Sequence, residues 1–337
     1  MRALVLTGPG QAAVQDVAPP VADSGQVVVD VERVGVCGTD VDFFTGEMAY
    51  LSDGHAAYPM RLGHEWCGTV SAVGSGVDAS WVGARVTGDT MLGCGHCARC
   101  GSGRQHLCQH RSEIGIRGGW PGALAEQLLV PLTALHMLPE TIDVVAGALV
   151  EPGGNALRAV LAARLQPGDR VLIWGPGSIG LLTAAFAAAA GAEVHLVGIE
   201  EKSLAFAAGL GYEHASPPSV LPDVPFGAVI DASNGVDVPR AAIDLVEPGG
   251  RVVLIGIAGR PSNVDTRTLV LKDLTAVGIL SASPGLAGAI ARYASGAVDP
   301  RPLVAATVAL DEVPAVLAGE RPPGASAAPK IHVDPRR

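Results

Sequence analysis

The stretch Arg170-Val-Leu-Ile-Trp-Gly-Pro-Gly-Ser-Ile-Gly180 decides the fold, because it joins an apolar strand directly to a glycine-rich turn. An Ala-rich segment with the apolar content of a buried helix follows the turn. In a G-x-G-x-x-G turn of this kind, Gly175 permits the tight turn and Gly177 lets the backbone approach a pyrophosphate. Gly180 lets the helix pack closely on the strand, and the helix N-terminus favours an anion. The stretch therefore predicts a dinucleotide-binding site.

The chain continues to alternate between strand and helix beyond this turn. The sequence predicts strands at 193–199, 228–231 and 251–257, and helices at 178–190, 202–210, 239–246 and 286–295. Such alternation is typical of a doubly wound parallel sheet. We therefore assign residues 151–280 to a nucleotide-binding domain.

The first 150 residues have a different pattern. Short β-like runs at 3–6, 26–34, 67–73 and 85–87 are separated by Gly and Pro, with no long helical pattern between them. This pattern favours a compact, barrel-like β domain over residues 1–150. We expect the tail, residues 281–337, to return to that domain. The fold class is thus α/β, with a β-barrel domain joined to a doubly wound parallel sheet.

Four of the six cysteines fall in one glycine-rich loop at about 93–110, and these are Cys94, Cys97, Cys100 and Cys108. Short spacings bring four thiolates to one point, which suits a tetrahedral zinc ion. Because four sulfurs leave no open position, the sequence predicts a structural zinc. Disulfide-bonded or buried cysteines and a nucleic-acid zinc ribbon are less favoured alternatives. The neighbouring His96, His106 and His110 are expected to be exposed to solvent.

A second set of metal-binding residue types is spread over the first half of the chain. Cys37 lies in GVCGTD, His64 and Glu65 lie in GHEWCG, and Glu151 lies in ALVEPGG. Each is weak evidence alone, because a lone cysteine is usually a core residue and a His-Glu pair is usually satisfied locally. Together they offer a thiolate, an imidazole and carboxylates, which suit a zinc ion with an exchangeable position.

The composition limits the partners of the protein. Among 337 residues there are 23 Lys and Arg against 33 Asp and Glu, a formal net charge of −10. This balance argues against nucleic-acid and anionic-membrane binding. The uncharged stretch 171–192 is interrupted by glycines and is Ala-rich, so it is predicted to be a strand-turn-helix unit and not a membrane span. Clustered cysteines without a secretory signal indicate the cytoplasm.

The choice between NAD and NADP depends on the end of the second predicted strand of the sheet. Gly198 stands there and leaves room for a 2′-phosphate, but no Arg follows to bind one. Glu200 is placed to reach a ribose diol, and with Glu201 it would repel a 2′-phosphate. Lys202 and Ser203 would offset part of that repulsion. The sequence therefore favours NAD only slightly.

Taken together, these motifs resemble the zinc-dependent medium-chain alcohol dehydrogenases, especially their polyol, glucose and threonine dehydrogenase branch. The resemblance covers nearly the whole chain, since GVCGTD, GHEWCG, the four-cysteine loop, ALVEP and GPGSIG follow one another in the order of that family. It implies a GroES-like catalytic domain and a Rossmann domain with the active site between them. It also implies two zinc ions per chain, hydride transfer between a secondary alcohol and NAD or NADP, and a homodimer or homotetramer.

The resemblance implies roles for the candidate metal ligands. Cys37 and His64 would bind the catalytic zinc, and Glu65 would be a ligand or would exchange with the substrate oxygen. Glu151 stands where the alcohol-dehydrogenase branch has a cysteine ligand, and in the polyol branch the matching Glu binds zinc directly or through water. Which of the two carboxylates binds the metal directly stays open.

Thr39 matches the family's hydroxyl that relays the substrate proton, and Asp40 matches the carboxylate that orients the ligand histidine. Without the resemblance, Thr39 would be read as a helix cap and Asp40 as a surface residue. Many relatives end the relay on a histidine five residues after the cysteine ligand, but this chain has Asp42 there. The proton path through the ribose and Asp42, through His55 or through water stays open.

The resemblance further implies a nicotinamide site and a substrate. The residues expected to contact the cofactor are Gly175, Gly177, Ser178, Ile179, Gly180, Gly198, Glu200, Ile255, Ile257 and Ile279. The polar segment 43–58 suggests a polyol or cyclitol hydroxyl more than a plain alkyl alcohol, although a simple exposed loop explains its residues about as well. A redox-neutral epimerase or lyase that retains its dinucleotide is the alternative function, and a non-enzymatic zinc-ribbon protein is a less favoured one.

Overall fold

The computed structural model describes residues 1–337. Its strands are β1 (Arg2–Gly8), β2 (Gln11–Asp16), β3 (Gln26–Val36), β4 (Glu65–Val73), β5 (Arg85–Gly88), β6 (Met91–Leu92), β7 (Ser112–Glu113), β8 (Gln127–Pro131), β9 (Leu135–Met137), β10 (Arg170–Trp174), β11 (Glu193–Val197), β12 (Ala215–Ser216), β13 (Phe226–Asp231), β14 (Val246–Leu254), β15 (Thr275–Gly278), β16 (Val304–Ala309) and β17 (Lys330–Asp334). Its helices are α1 (Gly38–Thr45), α2 (Ala49–Ser52), α3 (Ala98–Gly101), α4 (Val144–Ala148), α5 (Val150–Ala163), α6 (Ser178–Ala189), α7 (Glu201–Gly209), α8 (Val238–Leu245), α9 (Thr266–Leu271), α10 (Leu286–Ala294) and α11 (Val313–Leu317). None of these helices has the length and apolar content needed to cross a membrane.

Six strands form a parallel sheet in the order β12-β11-β10-β13-β14-β15. The strand β10 lies at its centre, with Arg170 opposite Glu193 of β11 and Val171 opposite Ala228 of β13. Counted along the chain from β10, this is the order 3-2-1-4-5-6 of a Rossmann sheet. The predicted doubly wound parallel sheet is therefore confirmed. Strands are added on one side of β10 up to β12 and on the other side from β13 onward, so the strand order reverses at β10. The carboxyl end of β10 therefore lies at the point where such sheets bind ligands.

The amino-terminal part of the chain builds a seven-stranded sheet with strands from both ends of the sequence. Its path is β16-β17-β3-β4-β5-β9, with β8 also pairing with β3. The strand β3 is 11 residues long and pairs antiparallel with β4, β8 and β17. In the last of these pairings Ile331 lies opposite Val36. The end of the chain therefore lies directly beside the segment that precedes Cys37.

Buried aliphatic side chains hold the two sheets together. The largest core has 32 buried residues, and it combines Cys67 and Leu138 from the first half of the chain with Leu181 and Ile290 from the second half. A second core of 25 residues fills the seven-stranded sheet. Because the largest core draws on both parts of the chain, the two parts are packed against each other through one continuous apolar core.

The pattern in the sequence does not predict α5, yet this is the longest helix, with 14 residues. Pro152 lies in its first turn, where a missing N–H removes no helical hydrogen bond. The glycines that follow permit close packing. A Cβ at Gly153 would lie 2.1 Å from the hydroxyl of Tyr293, and one at Gly154 would lie 2.9 Å from the Cβ of Ala282. Tertiary packing here outweighs the low helix propensity of glycine.

The turn after β10 offers a matched pair of variants. A Cβ on Gly180 would lie 1.9 Å from the backbone oxygen of Gly175, whereas Gly177 has open space around it. We expect Gly180→Ala to lower the free energy of unfolding, measured in urea, by about 1–3 kcal/mol, because the helix must move off the strand. The control Gly177→Ala should change it by less than about 0.5 kcal/mol. Equal losses in the two variants would contradict this account.

Candidate functional site

Three side chains converge where β3 ends and β4 begins. Cys37 caps α1 directly after β3, and His64 and Glu65 stand at the start of β4. The Cys37 Sγ lies 3.3 Å from His64 Nε2, and a Glu65 oxygen completes a group whose ligand atoms all lie within 4.8 Å of one another. Sulfur and nitrogen ligands of a tetrahedral zinc lie about 3.5 Å apart. The donor set and its spacing therefore fit a zinc ion.

Asp40 connects the two segments that carry this group. Its carboxylate accepts hydrogen bonds from the N–H of Cys37 at 3.0 Å and from the N–H of Gly63 at 3.3 Å. Its Oδ1 also lies 3.9 Å from Nδ1 of His64, a buried nitrogen that has no hydrogen-bond partner of its own. Asp40 is therefore placed to attract a proton to Nδ1, which leaves Nε2 free for a metal.

Lys330 is a residue of this site that the sequence analysis missed. Its Nζ donates to the two Glu65 oxygens at 2.7 and 2.9 Å and to the Val36 carbonyl at 3.1 Å. Burial alone would lower the pKa of Lys330, but Glu65 raises it above its usual value. A signal was present, because Lys330 is one of only three lysines and it begins the mostly apolar run KIHV. Its partner is not visible in the sequence.

Glu151 lies beside the group but not within it. It stands in the first turn of α5, where its Oε1 accepts a hydrogen bond from Nδ2 of Asn155 at 2.9 Å. Burial raises the pKa of its carboxyl to about 7, and the charges of His64 and Glu65 act on it as well. Its oxygens do not belong to the group whose ligand atoms lie within 4.8 Å of one another. The structure thus brings three of the four candidate ligands together and places the fourth nearby.

The four cysteines of the loop at 93–110 also converge. The Sγ of Cys97 lies 3.6 Å from that of Cys100 and 3.8 Å from that of Cys108, and no disulfide links them. The sulfurs of a tetrahedral zinc site lie about 3.8 Å apart. The backbone N–H of Cys94 lowers the pKa of the Cys108 thiol to about 6, whereas desolvation raises the pKa of the neighbouring Cys100 thiol to about 11. The case for a metal therefore depends on the convergence of all four sulfurs, whose ligand atoms lie within 4.8 Å of one another. These four residues therefore fit a structural zinc ion.

The glycine-rich turn lies at the carboxyl end of β10, as predicted. Gly177 is exposed and directly precedes α6, with open space where a pyrophosphate would approach. Gly198 follows β11, and a Cβ there would lie 2.6 Å from Cγ of Pro176. Glycine at 198 is therefore needed for packing against the turn and not only for room beside a ribose. Glu200 is exposed, and one of its oxygens accepts a hydrogen bond from Ser203 at 3.2 Å.

The other predicted cofactor contacts lie at the same edge of the parallel sheet. Ser178 and Ile179 begin α6 and are half-buried. Ile255 and Ile257 follow β14, Ile279 follows β15, and the side chain of Ile257 is 83% exposed. Because the carboxyl ends of parallel strands meet at one edge, these residues share that edge with the turn.

The candidate proton relay is not linked through the protein alone. Thr39 is half-buried in the first turn of α1, and the residue that caps this helix is Cys37 rather than Thr39. Asp42 is exposed, and partial burial and Glu47 raise its pKa. His55 is also exposed, with its Nδ1 3.4 Å from a guanidinium nitrogen of Arg117. No hydrogen bond joins Thr39, Asp42 and His55 to one another.

The expectation that His106 is exposed to solvent is wrong, because its side chain is buried at 4% exposure. The other two histidines of the four-cysteine loop, His96 and His110, are exposed as predicted. The loop is held inward at this point. Gln105 donates to the buried carboxylate of Asp89 at 2.9 Å, and Ser283 donates to the same carboxylate at 2.7 Å. Asp89 therefore joins the four-cysteine loop to the segment after β15, a contact that the sequence does not reveal.

The Rossmann strand order, the glycine-rich turn and the two metal-fitting groups together define a zinc- and dinucleotide-dependent oxidoreductase. Two family models agree with this class. One, an alcohol dehydrogenase GroES-like domain, matches residues 23–140, and the other, a zinc-binding dehydrogenase, matches residues 178–295.

Similar proteins support the same class. A 2-dehydro-3-deoxy-L-galactonate 5-dehydrogenase from Pseudoalteromonas atlantica is 31% identical over 86% of this chain and 86% of its own. A sorbitol dehydrogenase from Halalkalibacterium halodurans is 32% identical over 84% of this chain and 85% of its own. A crystal structure of a zinc-binding dehydrogenase from Sinorhizobium meliloti bound to NADP has 30% identity and a TM-score of 0.89 over 99% of both chains.

The chain therefore belongs to the zinc-dependent medium-chain alcohol dehydrogenase family. It is a zinc-dependent oxidoreductase that transfers a hydride between a secondary alcohol and NAD(P). The predicted GroES-like and Rossmann architecture is confirmed, and the non-enzymatic zinc-ribbon alternative is wrong.

Lys330→Met tests the buried ion pair. Removing the cation leaves Glu65 as a buried carboxylate without a partner, so the free energy of unfolding in urea should fall by about 3–5 kcal/mol. Arg267→Met is the control, because the ion pair of Arg267 with Asp265 is on the surface, with an Arg267 side chain that is 85% exposed. That variant should lose little stability. Losses of similar size in the two variants would contradict a special role for Lys330.

Proposed function

We propose that the protein oxidises a secondary hydroxyl of a polyol, cyclitol or sugar-like substrate. The observation that carries the proposal is the group of half-buried Cys37 and buried His64 and Glu65, whose donor atoms fit a zinc ion. The polar segment 43–58 supports a hydroxylated substrate, and within it the Tyr50 hydroxyl lies 3.4 Å from Arg111 and 3.5 Å from Glu113. The names of the sorbitol and sugar-acid dehydrogenases to which the chain is similar point to the same substrate class.

We propose that Cys37 and His64 hold a catalytic zinc, that Asp40 orients His64, and that the four-cysteine loop holds a structural zinc. When bound, zinc polarises the substrate oxygen and the dinucleotide accepts the hydride. The protein contributes a thiolate, an imidazole and a fixed, largely buried pocket. The Asp40 carboxylate supports this assignment, because it accepts a hydrogen bond from the Cys37 N–H and also faces His64 Nδ1. It therefore couples the orientation of His64 to the position of Cys37.

The two carboxylates have different roles in this proposal. Both oxygens of Glu65 are held by Lys330, so Glu65 balances the metal charge from a fixed position. Glu151 accepts only from its own helix neighbour Asn155, and it stands in the first turn of α5 rather than on the strands that carry the other ligands. We therefore assign the exchangeable position beside the substrate oxygen to Glu151.

In this proposal Thr39 receives the hydroxyl proton of the substrate, since it stands in the first turn of α1 two residues after Cys37. No side chain continues the path, because Asp42 and His55 are exposed and neither bonds to Thr39. The proton therefore leaves through the cofactor ribose or through water. The residues from Gly175 to Gly180 position the cofactor, with Ile255, Ile257 and Ile279 beside the nicotinamide.

We propose a slight preference for NAD over NADP. The Ser203 bond occupies one oxygen of the exposed Glu200 and leaves the other free for a ribose diol. The segment 198–203 contains no arginine that would bind a 2′-phosphate. The NADP bound to the Sinorhizobium meliloti enzyme shows that relatives of this fold also accept the phosphorylated cofactor.

We further propose that residues 1–150 form the catalytic domain, residues 151–280 the nucleotide-binding domain, and residues 281–337 a segment that completes the first. The pairing of β17 with β3 supports this division. Six cysteines without a disulfide support a cytoplasmic location.

A homodimer is our proposal for the assembly. The strand β15 is the edge of the parallel sheet, and next to it α9 presents Val270 and Leu271 at 78% and 85% exposure. An unpaired edge strand beside exposed apolar side chains is the kind of surface that a second copy of a chain covers.

A panel of polyols, cyclitols, amino sugars and simple alcohols, each assayed with NAD and with NADP, tests the function. We expect the reduced-nicotinamide absorbance to rise with a polyol or cyclitol, with a modestly higher kcat/KM for NAD. Turnover of simple alcohols alone would contradict the substrate class. Product formation without a net absorbance change would instead indicate the redox-neutral alternative.

Cys37→Ser tests the zinc assignment. We expect turnover to be abolished and the zinc content to fall by one ion per chain, because a hydroxyl binds zinc far more weakly than a thiolate. Cys67→Ala is the control, since burial raises the pKa of the Cys67 thiol to about 12 and keeps it protonated. That variant should keep its zinc content and activity. Full activity in Cys37→Ser would refute the catalytic zinc site.

A further inference from the structure

A third group of metal-binding side chains lies on the Rossmann sheet, away from both cysteine-containing groups. Glu193 and His195 are two residues apart on β11, so their side chains lie on the same face of the sheet. His214 directly precedes β12, which pairs in parallel with β11, and the Leu196 N–H donates to the His214 carbonyl at 3.0 Å. The pairing of the two strands therefore sets His214 beside His195.

The side chains of this group are already close together. Nε2 of His195 lies 2.8 Å from Oε1 of Glu193, and the ligand atoms of all three residues lie within 4.8 Å of one another. The rings of His195 and His214 stack with centroids 4.4 Å apart and planes at 10°. The side chain of His195 is 5% exposed and that of Glu193 is 40% exposed, while His214 is exposed. The buried imidazole of His195 thus has two potential metal ligands, Glu193 and His214, on the side that faces solvent.

The group is separate from the dinucleotide site. His195 lies three residues before Gly198 in an extended strand, a separation of about 10 Å. Glu193 lies at the amino end of β11, whereas the glycine-rich turn and Gly198 lie at the carboxyl edge of the sheet. The hydride-transfer site therefore makes no use of this group.

We propose that Glu193, His195 and His214 bind a divalent transition-metal ion such as Zn²⁺ or Ni²⁺. Two imidazoles and one carboxylate form a donor set that suits these ions, with water completing the coordination. The ion takes the place of the proton between His195 and Glu193. Nitrogen and oxygen ligands of a tetrahedral ion lie about 3.3 Å apart, so the present 2.8 Å contact opens by about half an ångström.

Two small rearrangements accompany binding. His214 turns its ring out of the stack so that a nitrogen lone pair faces the ion, a motion that its exposure permits. Arg170, whose Nε donates to Glu193 at 3.1 Å, gives up part of that contact, and its side chain is 40% exposed and free to move. The bound ion links the two-residue edge strand β12 to β11, and so stabilises the sheet at its shortest pairing.

Equilibrium dialysis of the zinc-loaded protein against Ni²⁺ tests the proposal. The wild type should bind one further Ni²⁺ per chain while keeping the zinc that it already holds. In His214→Ala the affinity for that Ni²⁺ should fall about tenfold or more, since one direct ligand is lost. The wild-type melting temperature should rise with added Ni²⁺, and that of His214→Ala should not.

Glu193→Gln and Glu213→Gln are a matched pair of controls, because the two remove the same charge from neighbouring exposed positions. Glu193→Gln should weaken Ni²⁺ binding, whereas Glu213→Gln should bind as the wild type does. The proposal is overturned if the wild type takes up no further Ni²⁺. It is also overturned if His214→Ala or Glu193→Gln retains full affinity, or if Glu213→Gln loses as much affinity as Glu193→Gln.

Discussion

The buried ion pair between Lys330 and Glu65 is the interaction on which the rest of the structure depends. The two residues are separated by 265 positions in the chain, and both are 3% exposed. A carboxylate buried beside Cys37 and Glu151 needs a positive partner, because an isolated buried charge costs several kcal/mol. Lys330 supplies that charge only if β17 lies against β3. The electrostatics of the metal group thus require the end of the chain to complete the sheet formed by its beginning.

The same dependence on distant partners explains how the two sheets are joined. Asp89 is buried and accepts hydrogen bonds from Gln105 of the four-cysteine loop and from Ser283 of the segment after β15. A carboxylate with several donors is far more stable in a core than one with none. Tyr293 makes a similar link, since its hydroxyl donates to the Leu149 carbonyl at 3.1 Å. These polar contacts fix the orientation that the shared apolar core alone leaves less defined.

Cys37, His64 and Glu65 could be placed together because their motifs resemble those of a known family. The other residues that could be predicted from the sequence are those whose chemistry is local. The turn at 175–180 and the loop at 93–110 can be recognised from the sequence alone, because each requires certain residue types at short spacing. The alternating pattern likewise predicts the parallel sheet. Lys330 and the contacts of Asp89 are not predictable in this way, since their partners lie far along the chain. The helix α5 is missed for a related reason: Gly153 and Gly154 look like helix breakers until Tyr293 and Ala282 are seen to pack against them.

The helix α5 also lies beside both the Cys37, His64 and Glu65 group and the carboxyl edge of the parallel sheet, where the cofactor is proposed to bind. Its first turn carries Glu151 beside the metal group, and two and three residues later its two glycines let Tyr293 and Ala282 approach. Arg158, further along α5, donates to the carbonyls of Leu280 and Ser281, directly after Ile279. A shift of α5 would therefore move Glu151, the carboxylate proposed for the exchangeable metal position, together with the segment after Ile279 that is proposed to border the cofactor. Because hydride transfer tolerates little error in the distance between donor and acceptor, a single helix bonded to both sides limits that error more than two separate supports would.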